Sequence, residues 1–115
     1  MTVHNAAIGS PVSTENTTEK LYDDTMATNL RAPFFLTQTL LPYIPHGGRI
    51  VLISSIAARR FAFGMHQTAY AISKAAIEAL ARSWAVEVSL YNSCWLRSIL
   101  TRVSVWSISR YYCQW

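Results

Sequence analysis

Four consecutive apolar residues, Ile50-Val51-Leu52-Ile53, stand between the turn-forming Pro45-His46-Gly47-Gly48 and the pair Ser54-Ser55. A strand with one wet face alternates apolar and polar residues, whereas a continuous β-branched run belongs to a strand covered on both faces, the pattern of a parallel sheet. Parallel strands are joined by crossovers, usually helical, and helical patterns flank this run on both sides. Upstream, Thr18 and Glu19 open a segment in which Tyr22, Met26, Leu30, Phe34 and Leu41 recur at helical spacing to about Ile44. Pro33 predicts a kink inside it, Pro42 a loosened last turn, and Gly47-Gly48 a sharp reversal before the strand. Downstream, an Ala-rich helix is expected from about Ala69 to Val88. Ile77, Leu80, Trp84 and Val88 form its apolar stripe, and Ala71, Ala75 and Ala79 a smoother face. Thr2 to Ala7 reads as a strand end entering a loop, Gly9 to Thr18 as loop, and Ile56 to Thr68 as an irregular stretch. Strand, helix, strand, helix in alternation means an α/β fold with parallel pairing.

Charge narrows the function classes. The net charge of +4 suggests nucleic acid only until its distribution is read. The basic residues up to Val88 nearly balance the acidic ones, and the excess is Arg97, Arg102 and Arg110 in a tail without acids. The one basic pair is Arg59-Arg60, with no basic stripe interleaved with aromatics, so no nucleic-acid partner is expected. No apolar run is long enough to span a bilayer and the N-terminus lacks an apolar signal region, so no membrane partner is expected. Cys94 and Cys113 have neither a CxxC spacing nor a nearby His, which argues against a metal site. A reducing, cytoplasmic setting is the corresponding expectation.

Composition changes after Val88. The tail 89–115 holds Trp95, Trp106 and Trp115 and both cysteines, but no Gly, Ala, Pro, Asp, Glu or Lys. Val103 to Tyr111 has strand propensity. A shifted reading frame or a translated intron leaves such a composition. One uninterrupted frame in transcript and gene across the Val88 codon would refute that origin.

Four positions carry residue types suited to chemistry. Tyr70 and Lys74 stand four apart, on one face of the last helix. An ammonium beside a phenol favours the phenolate and suits the phenol to general acid/base work, although such a pair is ordinarily a surface pair. Ser55 ends the central strand, where ligands bind in open parallel sheets, although strand-ending serines commonly cap turns. Asn29 precedes Pro33 by four residues, so its carbonyl lacks the usual helical donor and can hold a water. The alternative is a helix asparagine facing solvent.

Taken together, Asn5-Ala6-Ala7, Asn29-Leu30-Arg31-Ala32-Pro33-Phe34, Gly48 to Ser55, and Tyr70-Ala71-Ile72-Ser73-Lys74-Ala75-Ala76 follow in order. Their order and spacing resemble the short-chain dehydrogenase/reductase family across roughly Thr2 to Val88. That family's pattern is an Asn-Asn-Ala-Gly segment, a helix Asn, a strand-end Ser and Tyr-x-x-x-Lys. The resemblance implies a partial Rossmann-like, doubly wound parallel sheet, with 1–88 as a catalytic segment and 89–115 as a divergent tail outside it. It implies NAD(P)-dependent interconversion of an alcohol and a ketone, with no metal. Tyr70 would move the proton, Ser55 orient the carbonyl, Lys74 support Tyr70 and hold the nicotinamide ribose, and Asn29 hold a relay water. Asn5, Ala6 and Ala7 would border the cofactor, NADP or NAD, and Tyr70 and Lys74 would bind it. The two long helices would form a dimer interface, for a second copy or an intact relative. Phe61, Phe63, Met65 and His66 fall where the family lines its substrate pocket.

The sequence departs from that pattern in places. His4 stands where the family commonly has Asn, Ala7 where it has Gly, and the step from Ser55 to Tyr70 is slightly long. No Gly-rich turn for a pyrophosphate is present, since Gly9, Gly47, Gly48 and Gly64 do not open a helix after a strand. A fragment with little or no activity alone is the resulting expectation, and a non-catalytic partner of intact relatives the alternative.

Overall fold

The computed structural model describes residues 1–60, 64, 66–92 and 95–101. Three strands pair in parallel in the order β1 (Thr2–His4), β2 (Arg49–Ser55) and β3 (Trp95–Thr101). The central strand is the Ile50–Ile53 run, with Thr2 opposite Ile50 on one side and Arg49 opposite Trp95 on the other. Residues 19–40 form the first crossover and α3 (Thr68–Asn92) the second. The expected α/β architecture with parallel pairing is therefore present. The compositional boundary at Val88 falls inside α3, and Trp95–Thr101 of the tail supplies the third strand. Val103 to Tyr111 lies outside the described residues.

The core lies between β2 and α3. Ile50 and Leu52 are fully buried against Ile77, Ala81, Trp84 and Val88, which recur at helical spacing on α3. Each such side chain contributes about 1.5–3 kcal/mol on burial. On the other face of the strand Val51 is buried and Ile53 half-buried, so β2 is covered on both faces, as its unbroken apolar run predicts.

The first crossover begins where Thr18 accepts a hydrogen bond from the Leu21 N–H and caps α1 (Glu19–Met26). A π-helical turn, Ala27–Arg31, then leads into α2 (Ala32–Leu40). Its cause is Pro33, whose missing N–H cannot serve Asn29. The backbone widens instead, and the Ala32 N–H reaches back to the Ala27 carbonyl. The predicted kink takes this form. A 3-10 turn, Leu41–Tyr43, follows around Pro42, and Gly47, at φ +73°, makes the reversal into β2.

The apolar series at helical spacing is not the most buried face of this crossover: Tyr22 is 40% exposed and Phe34 38%, while Leu30 packs partly buried against the core. The buried face is Thr25, Asn29, Pro33 and Thr37, spaced by four. Its polar groups are satisfied locally. Thr25 donates to the Leu21 carbonyl, and Thr37 Oγ1 lies 2.8 Å from His4 Nε2. Periodicity finds a stripe but cannot say whether the protein's own sheet or another surface covers it.

That His4–Thr37 contact predicts a pH dependence. Burial holds the His4 pKa below its ordinary 6.5, so the folded protein favours the neutral ring. The contribution of His4 is present above about pH 6.5 and is lost as pH falls through its lower folded value. Urea unfolding between pH 7.5 and 5 should show stability falling with acidification, and His4→Asn should flatten that fall. An equal slope in the variant would exclude His4 as its source.

Candidate active site

Parallel pairing brings the ends of β1 and β2 to one edge of the sheet. Asn5, Ala6 and Ala7 follow β1 there and are exposed, and Ser55 ends β2 and is buried. The first turns of α3 deliver Tyr70 and Lys74 to the same edge. Lys74 Nζ donates to the Ile53 carbonyl at 2.7 Å and lies 5.7 Å from the centre of the Tyr70 ring. The ammonium is almost entirely buried, and burial pushes its pKa below the ordinary lysine value. Ser55 Oγ accepts from the Ala57 N–H at 3.2 Å, which leaves its own O–H as a donor.

Asn29 does not face solvent. It is 1% exposed, and its side chain binds both main-chain groups of Ile8: Oδ1 accepts from the Ile8 N–H and Nδ2 donates to the Ile8 carbonyl, each at 2.8 Å. Nδ2 also donates to Ser73 Oγ at 2.9 Å, and that hydroxyl donates to the Tyr70 carbonyl at 2.7 Å. One buried amide therefore ties the loop after β1, the π turn and the start of α3 together. A bridge between Val12 and Gln67 and a 3.0 Å contact between Thr14 and Thr68 hydroxyls fasten the same loop further on.

A second network fixes the segment carrying Ser55. Glu78, buried on α3, accepts from Ser54 Oγ at 2.9 Å and from Arg59 Nε at 2.9 and 3.2 Å. Sequence reading passed over Ser54, Arg59, Ser73 and Glu78. The available signal was strand alternation, which turns Ser54 to the opposite face from Ser55, and Glu78 four residues beyond Lys74 on one helix face. His66 is exposed, and Phe61, Phe63 and Met65 lie outside the described residues.

Lys74 thus links the start of α3 to the end of β2, beside the Tyr70 ring and two residues before Ser55, while Asn29 ties the loop after β1 to the same helix. The chemistry of the donors fits a nicotinamide nucleotide. An ammonium has three N–H groups, and among the described residues Lys74 uses one, on Ile53, which leaves donors for a ribose diol. The exposed backbone of Asn5 to Ala7 offers a border beside it.

Comparison with known proteins identifies the class. The family described as enoyl-(acyl carrier protein) reductase matches residues 1–93. This chain belongs to the short-chain dehydrogenase/reductase family. It is 41% identical over 86 residues to dehydrogenase OXI1 of Cochliobolus heterostrophus, covering 75% of this chain and 36% of that protein. It is 46% identical over 70 residues to tetrahydroxynaphthalene reductase PfmaG of Pestalotiopsis fici, covering 61% and 25%. Among solved structures, the angucycline C-6 ketoreductase LanV with bound NADP superposes with a TM-score of 0.78 at 32% identity, over 85% of this chain and 37% of that one. The chain spans about a third of the length of the curated relatives it matches. Among the described residues no helix is long and apolar enough to cross a membrane.

Proposed function

We propose that this chain carries the proton-handling site of a NAD(P)-dependent oxidoreductase that interconverts an alcohol and a ketone. The observation that carries the reading is the placement of Lys74 Nζ, 2.7 Å from the carbonyl of Ile53, two residues before Ser55, and 5.7 Å from the Tyr70 ring. The bound dihydronicotinamide supplies the hydride. The residues do the rest. Ser55 donates its O–H to the substrate carbonyl and orients it. Tyr70 gives its phenolic proton to the same oxygen during reduction and takes it back during oxidation. Lys74 stands beside the Tyr70 ring and offers its remaining N–H groups to the ribose hydroxyls. The Asn29 carbonyl, which Pro33 cannot serve, holds a water that returns the proton from solvent. Names of relatives that include hydroxynaphthalene reductase and ketoreductase support a cyclic or aromatic ketone as the substrate class.

Incubation with NADPH deuterated at C4 and a tetralone tests this. Deuterium on the carbinol carbon of the alcohol, read by mass spectrometry, is the expected result; its absence refutes catalysis by this chain.

A second reading rests on the outward apolar stripe. Met26, Leu30, Phe34, Phe35, Ala76 and Leu80 line an open groove of ≈ 790 Å³ between the first crossover and α3. Exposed apolar surface of that kind suits a protein partner, here a second copy or an intact relative. A chain acting only as such a module transfers no deuterium but sediments as a dimer or mixed oligomer.

A further inference from the structure

We propose that Gly9 is a positioning residue for Tyr70: its bare backbone is the surface against which the phenol ring is set. The inference rests on the acid/base reading of Tyr70 for its catalytic consequence, but not for its geometry.

Glycine here is not explained by backbone conformation. The glycines with positive φ among the described residues are Gly47 and Gly64, and Gly9 is not one of them. It is explained by what lies opposite. A Cβ on Gly9 would stand 2.7 Å from Tyr70 Cδ2, 3.0 Å from Cγ and 3.3 Å from Cβ. Turning the ring about Cβ–Cγ moves Cδ2 but leaves Cγ and Cβ in place, so ring rotation alone does not clear the tight contact with Cγ. Something larger must move.

Both sides are held. Gly9 cannot retreat, because the preceding residue, Ile8, is clamped through its N–H and its carbonyl by the buried Asn29 amide. Tyr70 cannot retreat as a unit, because the first turns of α3 are fixed by Ser73 to the same amide, by Thr68 to Thr14 and by Gln67 to Val12. The loop and the helix therefore meet at Gly9 and Tyr70 with no slack, and a methyl group there displaces the ring. Proton transfer is sensitive to such displacement, since a shift of about 1 Å in a reacting group can cost about 10²-fold in rate. Gly9→Ala should accordingly lower kcat by at least about tenfold.

The test reads the ring directly. In chain labelled with 13C at the tyrosine ring ε carbons, Tyr70→Phe assigns the Tyr70 cross-peak. Gly9→Ala is expected to move that cross-peak while those of Tyr22 and Tyr43 stay in place. An unmoved Tyr70 cross-peak overturns the proposal, whether or not the chain turns over. A moved ring with unchanged kcat overturns its catalytic consequence. A moved ring in a chain whose wild type transfers no deuterium leaves the packing assignment standing and refutes the acid/base reading alone. If Gly9→Ala does not fold, thermal unfolding of Tyr70→Ala and of the Gly9→Ala/Tyr70→Ala double variant decides. Truncating the ring removes the two shortest contacts, so the double variant should melt close to Tyr70→Ala. A double variant that also fails to fold overturns the proposal.

Discussion

Tyr70→Phe is expected to lower ketone reduction by at least about 10²-fold, the lower end of what a positioned general acid contributes. The change removes one oxygen. The contacts that place the residue use other atoms: the main-chain carbonyl that accepts from Ser73, the ring carbons against Gly9, and the ring face toward Lys74. Stability should therefore stay within about 0.5 kcal/mol of wild type. Loss of deuterium transfer with an unchanged melt supports Tyr70 as the proton donor. Undiminished transfer would refute that role.

The largest effect on stability is expected at Asn29. Asn29→Leu keeps the branched shape, with bulkier methyl groups, and removes three hydrogen bonds, to the Ile8 N–H, the Ile8 carbonyl and Ser73 Oγ. At about 1 kcal/mol net per bond, the loss is about 3 kcal/mol. The loss is not larger because Ile8 is 42% exposed, so water can reach the freed groups, and because Ser73 keeps its bond to the Tyr70 carbonyl. Urea unfolding should show a lower midpoint at unchanged slope. The loop over Tyr70 would loosen with it, so activity should fall beyond what stability alone explains. A loss below about 1 kcal/mol would mean that the amide does not bind the three segments as a unit.

The elements read most securely from sequence are those where local chemistry and tertiary context agree. Ile50–Ile53 is apolar without interruption and is the central strand. Thr18 caps α1, and Pro33 deforms the crossover because no packing can supply its missing N–H. Tyr70 and Lys74 share a helix face by spacing, and the start of α3 meets the end of β2 as one parallel unit requires; grouping Ser55 with them rests on the family resemblance. Less legible was everything that depends on which surface faces which. The crossover shows an apolar stripe in sequence, yet its inward face is Thr25, Asn29 and Thr37. Asn29 alone reads better as a helix residue facing solvent, because only the fold reveals that Ile8 and Ser73 lie within reach of its amide. Glu78 read as one more charge on a helix, and its burial by Ser54 and Arg59 depends on residues nineteen and more positions away. Gly9 read as loop composition, since the residue it accommodates is distant in sequence.

The most direct test of the account is thermal unfolding of the chain with and without NADPH or NADH in excess. At about 100 times its dissociation constant, a nucleotide held through Lys74 and the Asn5–Ala7 border stabilises the fold by about 2.7 kcal/mol. For a chain of this size that raises the midpoint by roughly 10 °C or more. The account predicts a cooperative melt that moves up with at least one of the two nucleotides, and whose shift is reduced by Lys74→Met. A cooperative melt that neither nucleotide moves would contradict the claim that this edge of the sheet is a nicotinamide site.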